Sequence, residues 1–198
     1  MFTGIVQTRG AVAGVEERGG DRRLAVDAPG LGEFAIGDSI CVSGACLTAV
    51  ARTARGFAAD VSRETLDRTT LGALGQGAAV NLELSLTPST ALGGHLVTGH
   101  VDGVGELVSE EGDARSRRLR LRAPAGLERY IAAKGSVCVD GVSLTVNEVD
   151  GREFGVNVIP HTAAVTTLGA ARPESRFNLE VDLVARYVER LLNGVRNP

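Results

Sequence analysis

Two seven-residue phrases carry the side chains best suited to chemistry. Residues 42–48 read VSGACLT, and residues 139–145 read VDGVSLT. Side chains alternate along a strand. Ala45, Leu47 and Ala49 therefore share one face, as do Val142, Leu144 and Val146. The opposite face carries Cys46 and Thr48 in the first phrase, and Ser143, Thr145 and Asn147 in the second. A row of small polar groups suits the carbonyls and ring nitrogens of a heterocycle; a face turned to water would read the same way. A thiol also becomes a nucleophile where a base lowers its pKa, but no second motif of the usual protease or transferase kind accompanies Cys46. Cys41, Cys46, His95 and His100 offer metal-ligand chemistry, yet C-x4-C and H-x4-H are not the short knuckles of zinc sites. Cys41 and Cys138 occupy equivalent positions, which reads as structural. GVGEL lacks the following helix of a dinucleotide site.

What must position these side chains is a repeated unit. TGIVQTRG at 3–10 matches TGHVDGVG at 98–105, and RRLAVDAP at 22–29 matches RRLRLRAP at 117–124, both at an offset of 95. The offset then becomes 97: SICVSGACLT (39–48) pairs with SVCVDGVSLT (136–145), RGFAADV (55–61) with REFGVNV (152–158), ETLDRTTLG (64–72) with HTAAVTTLG (161–169), and NLELSL (81–86) with NLEVDL (178–183). The halves differ where chemistry would differ. Cys46 faces Ser143 in this alignment, Ser43 faces Asp140, Ile5 faces His100, Glu64 faces His161, and Gly37 faces Lys134.

Each half reads as six short strands separated by Gly-rich turns: 4–13, 22–28, 38–43, 45–52, 56–61 and 78–86, then 98–108, 117–122, 136–140, 142–149, 153–158 and 176–182. Such spacing predicts an all-β sandwich or closed barrel in each half. TPSTALGG (87–94) reads as the linker. DLVARYVERLLNG (182–194) is the exception: Leu183, Val184, Tyr187, Val188, Leu191 and Leu192 recur at helical spacing. Asp182 can cap this helix and Gly194 follows its expected end. Its narrow apolar stripe suits either a symmetric contact between subunits or packing on its own chain.

Composition agrees with a soluble β-rich protein. The chain has 198 residues, 26 of them Gly, and a net charge of -3, which gives no general attraction to nucleic acid or membranes. In RSRRLRLRAP, Arg118, Arg120 and Arg122 alternate with Leu119 and Leu121, the pattern of a strand with one wet face. Three cysteines make a poor disulfide framework, the N-terminus lacks a signal-peptide pattern, and no apolar run reaches bilayer length. A reducing cytoplasm is the expected compartment.

Taken together, MFTGIV, GACLT, SRETLDRTTLG, GGHLVTGHVDGVG, DGVSLTV and IPHT…TTLG resemble the riboflavin synthase family of the alpha-chain type over essentially the whole chain. The resemblance implies two tandem, homologous six-stranded Greek-key β-barrels plus a C-terminal α-helix, divided as 1–92, 93–182 and 183–198. It implies a homotrimer joined through the helices, with one 6,7-dimethyl-8-ribityllumazine in each barrel. Two lumazines would be dismutated by four-carbon transfer to riboflavin and 5-amino-6-ribitylaminouracil, without metal or organic cofactor. The site would lie between the N-terminal barrel of one subunit and the C-terminal barrel of its neighbour.

Carried over, the N-terminal pocket would use Gly4, Ile5, Val6, Cys46, Leu47 and Thr48, then Asp60, Val61, Ser62, Arg63, Glu64 and Thr65. The C-terminal pocket would use Gly99, His100, Val101, Lys134, Ser143, Leu144 and Thr145, then Asn157, Val158, Ile159, Pro160, His161 and Thr162. Phe2 is expected to cover a ring, and Ser39, Asp140 and Asp182 match other polar site positions. Cys46 and Ser39 on the N-terminal side, with His100 opposing them, are expected nearest the reacting atoms. A lumazine or flavin carrier of the same fold is the rival reading.

Overall fold

The computed structural model of the chain describes residues 1–196. Each repeat closes into an antiparallel barrel. The first contains β1 (Thr8–Arg18), β2 (Asp21–Asp27), β3 (Ser39–Val42), β4 (Ala45–Arg52), β5 (Gly56–Val61) and β6 (Ala79–Leu84), in the order β1-β2-β5-β4-β3-β6, with β6 returning to β1. The second contains β7 (Gly103–Asp113), β8 (Ser116–Arg122), β9 (Ser136–Val139), β10 (Val142–Asp150), β11 (Glu153–Val158) and β12 (Arg176–Val181), closed in the corresponding order. Closure leaves no unpaired sheet edge. Strand alternation fills each interior: Leu24, Val26, Ile40 and Leu47 in the first barrel, Leu119, Leu121, Val137 and Leu144 in the second. Arg118, Arg120 and Arg122, which alternate with the two β8 leucines, point outward and pair with Asp113, Asp150 and Glu153.

Some elements differ from the sequence reading. The first strand of each barrel starts later than expected and runs further, because residues 2–4 and 97–99 make their hydrogen bonds elsewhere. Two short helices, α1 (Arg63–Arg68) and α2 (Pro160–Val165), follow β5 and β11. Six residues are too few to show a helical period; their signals are the Ser62 cap on the Thr65 N–H and Pro160 at the first turn. Each leads into a 3₁₀ turn whose leucine, Leu71 or Leu168, is fully buried in its barrel's core. The C-terminal helix α3 (Leu183–Arg196) passes through Gly194 instead of ending there. A helical glycine costs about 1 kcal/mol relative to alanine, too little to stop a helix by itself. Asp182 caps α3 by accepting the Val184 N–H at 2.9 Å. Residues 197 and 198 of the expected helical segment lie outside the described residues.

The two barrels face each other about a local two-fold relation, so counterparts meet. Phe2 and Val97 exchange backbone hydrogen bonds of 2.7 and 3.1 Å. Around them lie Cys41 and Cys138, both buried. Asn81 Nδ2 donates to the Asp140 carbonyl (2.8 Å), and Asn81 Oδ1 accepts the Thr167 N–H (2.8 Å). Asn178 does the same to the Ser43 carbonyl and the Thr70 N–H, both at 2.7 Å. Buried amides satisfied across an interface in this way fix the relative orientation of the two units.

Candidate functional site

The polar face foreseen for β4 is real. Leu47 and Ala49 are buried inward, while Cys46 is half-buried and Thr48 exposed on the outside. Ser39 pairs with Thr48 across the hairpin, and Cys41 pairs with Cys46. In β10, Leu144 and Val146 point inward, Ser143 is half-buried and Thr145 exposed. Leu47 and Leu144 thus belong to the barrel cores rather than to a ligand surface, as do Val61 and Val158.

What lies over these faces reverses the expected grouping. The Cys46 N–H donates to the Gly99 carbonyl at 2.9 Å, and the Ser143 N–H donates to the Gly4 carbonyl at 2.7 Å. Val101 packs on the first barrel's core and Val6 on the second's. The segment that opens each repeat therefore completes the site of the other. A Cβ on Gly99 would sit 2.6 Å from the Cys46 Cβ, and one on Gly4 would sit 2.6 Å from the Ser143 Cβ. Both residues have positive φ, so glycine is required at each.

A cavity of about 210 Å³ opens beside Cys46, lined also by Glu64, Thr65, Arg68, Gly99 and His100. His100 thus lines the same cavity as Cys46. Two buried glutamates hold the exchanged segments. Glu180 of β12 accepts the Thr98 N–H (2.6 Å) and hydroxyl (2.7 Å) on Oε1, and the Gly99 (2.9 Å) and His100 (3.0 Å) N–H groups on Oε2. Glu83 of β6 accepts the Thr3 N–H (2.7 Å) and hydroxyl (2.6 Å), and the Gly4 N–H (3.0 Å). Burial pushes both carboxyls above their ordinary range, against the pull of these donors.

The second barrel's polar face differs in its covering. His95 Nδ1 lies 2.7 Å from Ser143 Oγ. Burial pushes the imidazole below its ordinary pKa, partly offset by the Asp182 carboxylate. His95 Nε2 and Asn157 Oδ1 are buried polar atoms with no hydrogen-bond partner among the described residues.

Other expected site residues occupy varied positions. Asp60 forms a two-pronged ion pair with Arg23 (2.6 and 2.7 Å) on the outside of β5. Ser62 caps α1, and Arg63 reaches toward Asp67, away from the Cys46 cavity. Ile5, Ile159, Pro160 and His161 are exposed, and Thr162 is half-buried on α2. Lys134 is exposed at a left-handed turn (φ 67°), its N–H on the Val146 carbonyl. Two further expectations are corrected. Phe2 is fully buried between the barrels, against Cys41, Val97 and Cys138, so it cannot cover a ligand ring. Asp140 is buried at the inter-repeat contact, where its Oδ1 accepts the Asn178 N–H at 2.7 Å. The sequence reading missed Glu83, Glu180 and the His95–Ser143 contact. The glutamates had a signal: an acid recurring at an offset of 97 between the apolar residues Leu82 and Leu84 in one block and Leu179 and Val181 in the other.

The model of the lumazine binding domain matches this chain twice, over residues 3–85 and 98–182. Fold and site define a tandem lumazine-binding-domain protein. The riboflavin synthase of Mycobacterium tuberculosis is 46% identical over 199 aligned residues, covering 98% of this chain and 99% of that protein. Those of Photobacterium phosphoreum and Brucella abortus are 45% and 42% identical, covering 97% and 96% of this chain and 89% and 98% of theirs. The chain belongs to the riboflavin synthase family, a family of transferases. In fold, it is similar to LumP complexed with riboflavin, with a TM-score of 0.85 at 24% identity over 91% of this chain and 99% of that one. LumP complexed with 6,7-dimethyl-8-(1'-D-ribityl) lumazine gives 0.82 over the same shares.

Proposed function

We propose that each barrel binds one 6,7-dimethyl-8-ribityllumazine and that the protein dismutates two of them. One molecule donates a four-carbon unit and the other accepts it, giving riboflavin and 5-amino-6-ribitylaminouracil. The doubled site carries this reading. Two strand faces are built alike, each completed by a Thr-Gly segment latched to a buried glutamate, yet one offers the Cys46 thiol and the other the Ser143 hydroxyl. Identical binding with different chemistry is what two copies of one substrate with different fates require.

The reacting pair forms between the N-terminal barrel of one subunit and the C-terminal barrel of a neighbour in a homotrimer. The exposed side of α3 supports that assembly: Val184, Tyr187, Val188, Leu191 and Leu192 are each about half or more exposed. Such a stripe on one helix suits packing against its own copies. The C7 methyl of the donor is acidic because its anion delocalises into the ring, and a nucleophile or water adds at C7 of the acceptor. Holding two flat rings face to face supplies on the order of 7–11 kcal/mol in favourable cases. Cys46 and His100 are the polar side chains of the first barrel's cavity best placed to act on the ring bound there. No helix among the described residues is long and apolar enough to cross a membrane, and the three cysteines are free thiols, which suits a reducing cytoplasm.

The test is incubation of the purified protein with 6,7-dimethyl-8-ribityllumazine in buffer containing a chelator. Riboflavin formation supports the synthase. Tight binding without conversion supports the carrier instead, and absence of binding removes both.

A further inference from the structure

We infer that Glu180 and Glu83 are positioning residues that act crosswise, each carboxylate in one barrel holding the segment that completes the binding site of the other. Glu180 belongs to β12 of the second barrel, yet the backbone it holds, Thr98 to His100, lies over Cys46 of the first. Glu83 belongs to β6 of the first barrel, yet it holds Thr3 and Gly4 over Ser143 of the second. In register, Glu83 pairs with Cys41 and Glu180 with Cys138, at the face where the barrels meet. Each glutamate is 2–3% exposed.

The chemistry of the contact explains why the residue is an acid. Four donors converge on the Glu180 carboxylate, two on each oxygen. A carboxylate is an acceptor at both oxygens, whereas a glutamine amide would turn two N–H donors toward donors already there. Aspartate is one methylene too short to reach the same backbone groups from the same strand position. The hydrogen bonds fix the segment at successive N–H groups, and its Gly99 carbonyl then takes the Cys46 N–H. Strand β12, the latched segment and the thiol strand β4 thus form one continuous chain of hydrogen bonds from the second barrel to the first. Its mirror runs from β6 through Thr3 and Gly4 to β10. Neither barrel's site is complete without the other repeat.

The inference deepens the reading of the Cys46 cavity as a ligand site, but it can be tested without ligand. Cys41 and Cys138 are 1–2% exposed while Cys46 is half-buried, so Cys46 is the thiol that a reagent reaches in the folded protein. The probe is the rate of labelling by an aromatic disulfide reagent, followed by the thiolate released, on the full-length protein. Loss of two charge-assisted hydrogen bonds should free the segment: Glu180→Gln should speed Cys46 labelling by at least about tenfold. Glu83→Gln, the same change at the pseudo-symmetric position, should leave that rate within about twofold. In a Cys46→Ser, Ser143→Cys background the order should reverse, with Glu83→Gln accelerating the introduced thiol. General loosening would speed labelling in both variants alike, and that result, or no acceleration by Glu180→Gln, overturns the inference. Unfolding shows itself by release of all three thiols. In that event Thr98→Val, which removes a single hydrogen bond to Glu180, takes its place and should move Cys46 in the same direction; failure to do so overturns the inference equally. A separate arm adds lumazine to the unsubstituted protein. Protection of Cys46 supports the ligand site, and lack of protection counts against the proposed function while leaving the latch result intact.

Discussion

Asp140 offers the sharpest quantitative prediction, because the two repeats differ there in a way that pH can reveal. Its carboxyl is buried between the barrels, and burial raises its pKa from 3.8 to about 7, against the pull of the Asn178 N–H. Its counterpart Ser43 does the equivalent task without a charge, its hydroxyl taking the Asn81 N–H at 3.1 Å. The folded state holds the Asp140 proton more tightly than the unfolded chain does. Between pH 4 and about 7 the unfolded chain has lost a proton that the folded protein keeps, so stability falls as pH rises through that window and then levels off. A shift of about 3 units is worth about 4 kcal/mol over the whole window, and about 3 kcal/mol of it is lost between pH 4.5 and 8. Asp140→Asn removes the titration but keeps an oxygen for the Asn178 N–H, and asparagine tolerates the left-handed backbone at this turn (φ 47°). Denaturant unfolding of both proteins, at one fixed protein concentration, should show the variant gaining about 3 kcal/mol on the parent between pH 4.5 and 8. Contributions from Glu83, Glu180 and every other carboxylate cancel in that difference. Parallel pH profiles for the two proteins would refute the buried, protonated Asp140.

Three further outcomes are expected. Cys46→Ala should lower turnover by more than tenfold while changing lumazine affinity little, since burial area at the ring is almost unaffected; unchanged turnover measured in steady state would remove Cys46 from the chemistry. Leu191→Glu together with Leu192→Glu on the exposed face of α3 should give monomers by analytical ultracentrifugation that still bind lumazine but form no riboflavin; a monomer with full activity would contradict the shared site. The His95 imidazole should titrate below its ordinary value of 6.5 by NMR, so that it is neutral near pH 7 beside Ser143; a midpoint at or above 6.5 would mean that its surroundings are not as buried as described.

The fold was legible because the repeat doubled every signal. NLELSL and NLEVDL name the closing strands, and LTAV and LTVN alternate cleanly between core and surface. The site was legible only in part. Cys46, Glu64, Thr65 and His100 line one cavity, whereas Gly99 lies against Cys46 and Gly4 against Ser143, each across from the barrel that sequence order assigned it to. Sequence order ties each Thr-Gly segment to the strand that follows it. An internal two-fold relation lets that segment cross to the other unit, and repeat alignment is identical for either arrangement. Phe2 was expected over a ring on the family resemblance alone; the residues that bury it, among them Val97 and Cys138, are 95 and 136 positions away in the sequence. Asp140 was expected at the site because it faces Ser43 in the repeat alignment and matches a polar site position of the family; no sequence signal showed that it is buried where the repeats meet. The helices α1 and α2 were too short for any period to show.

Whether one reacting pair is assembled from two subunits is tested most directly by complementation. Thr65→Trp fills the first barrel's cavity, and Thr162→Trp fills the equivalent position in the second. Each variant alone should be inactive. When equal amounts are unfolded together and refolded, each site draws its two barrels from different subunits, so about a quarter of the sites receive two intact barrels. Riboflavin synthesis by the mixture should therefore reach about one quarter of the unsubstituted rate. A mixture as inactive as its parents would mean that both barrels of a site come from one chain, and would contradict the account.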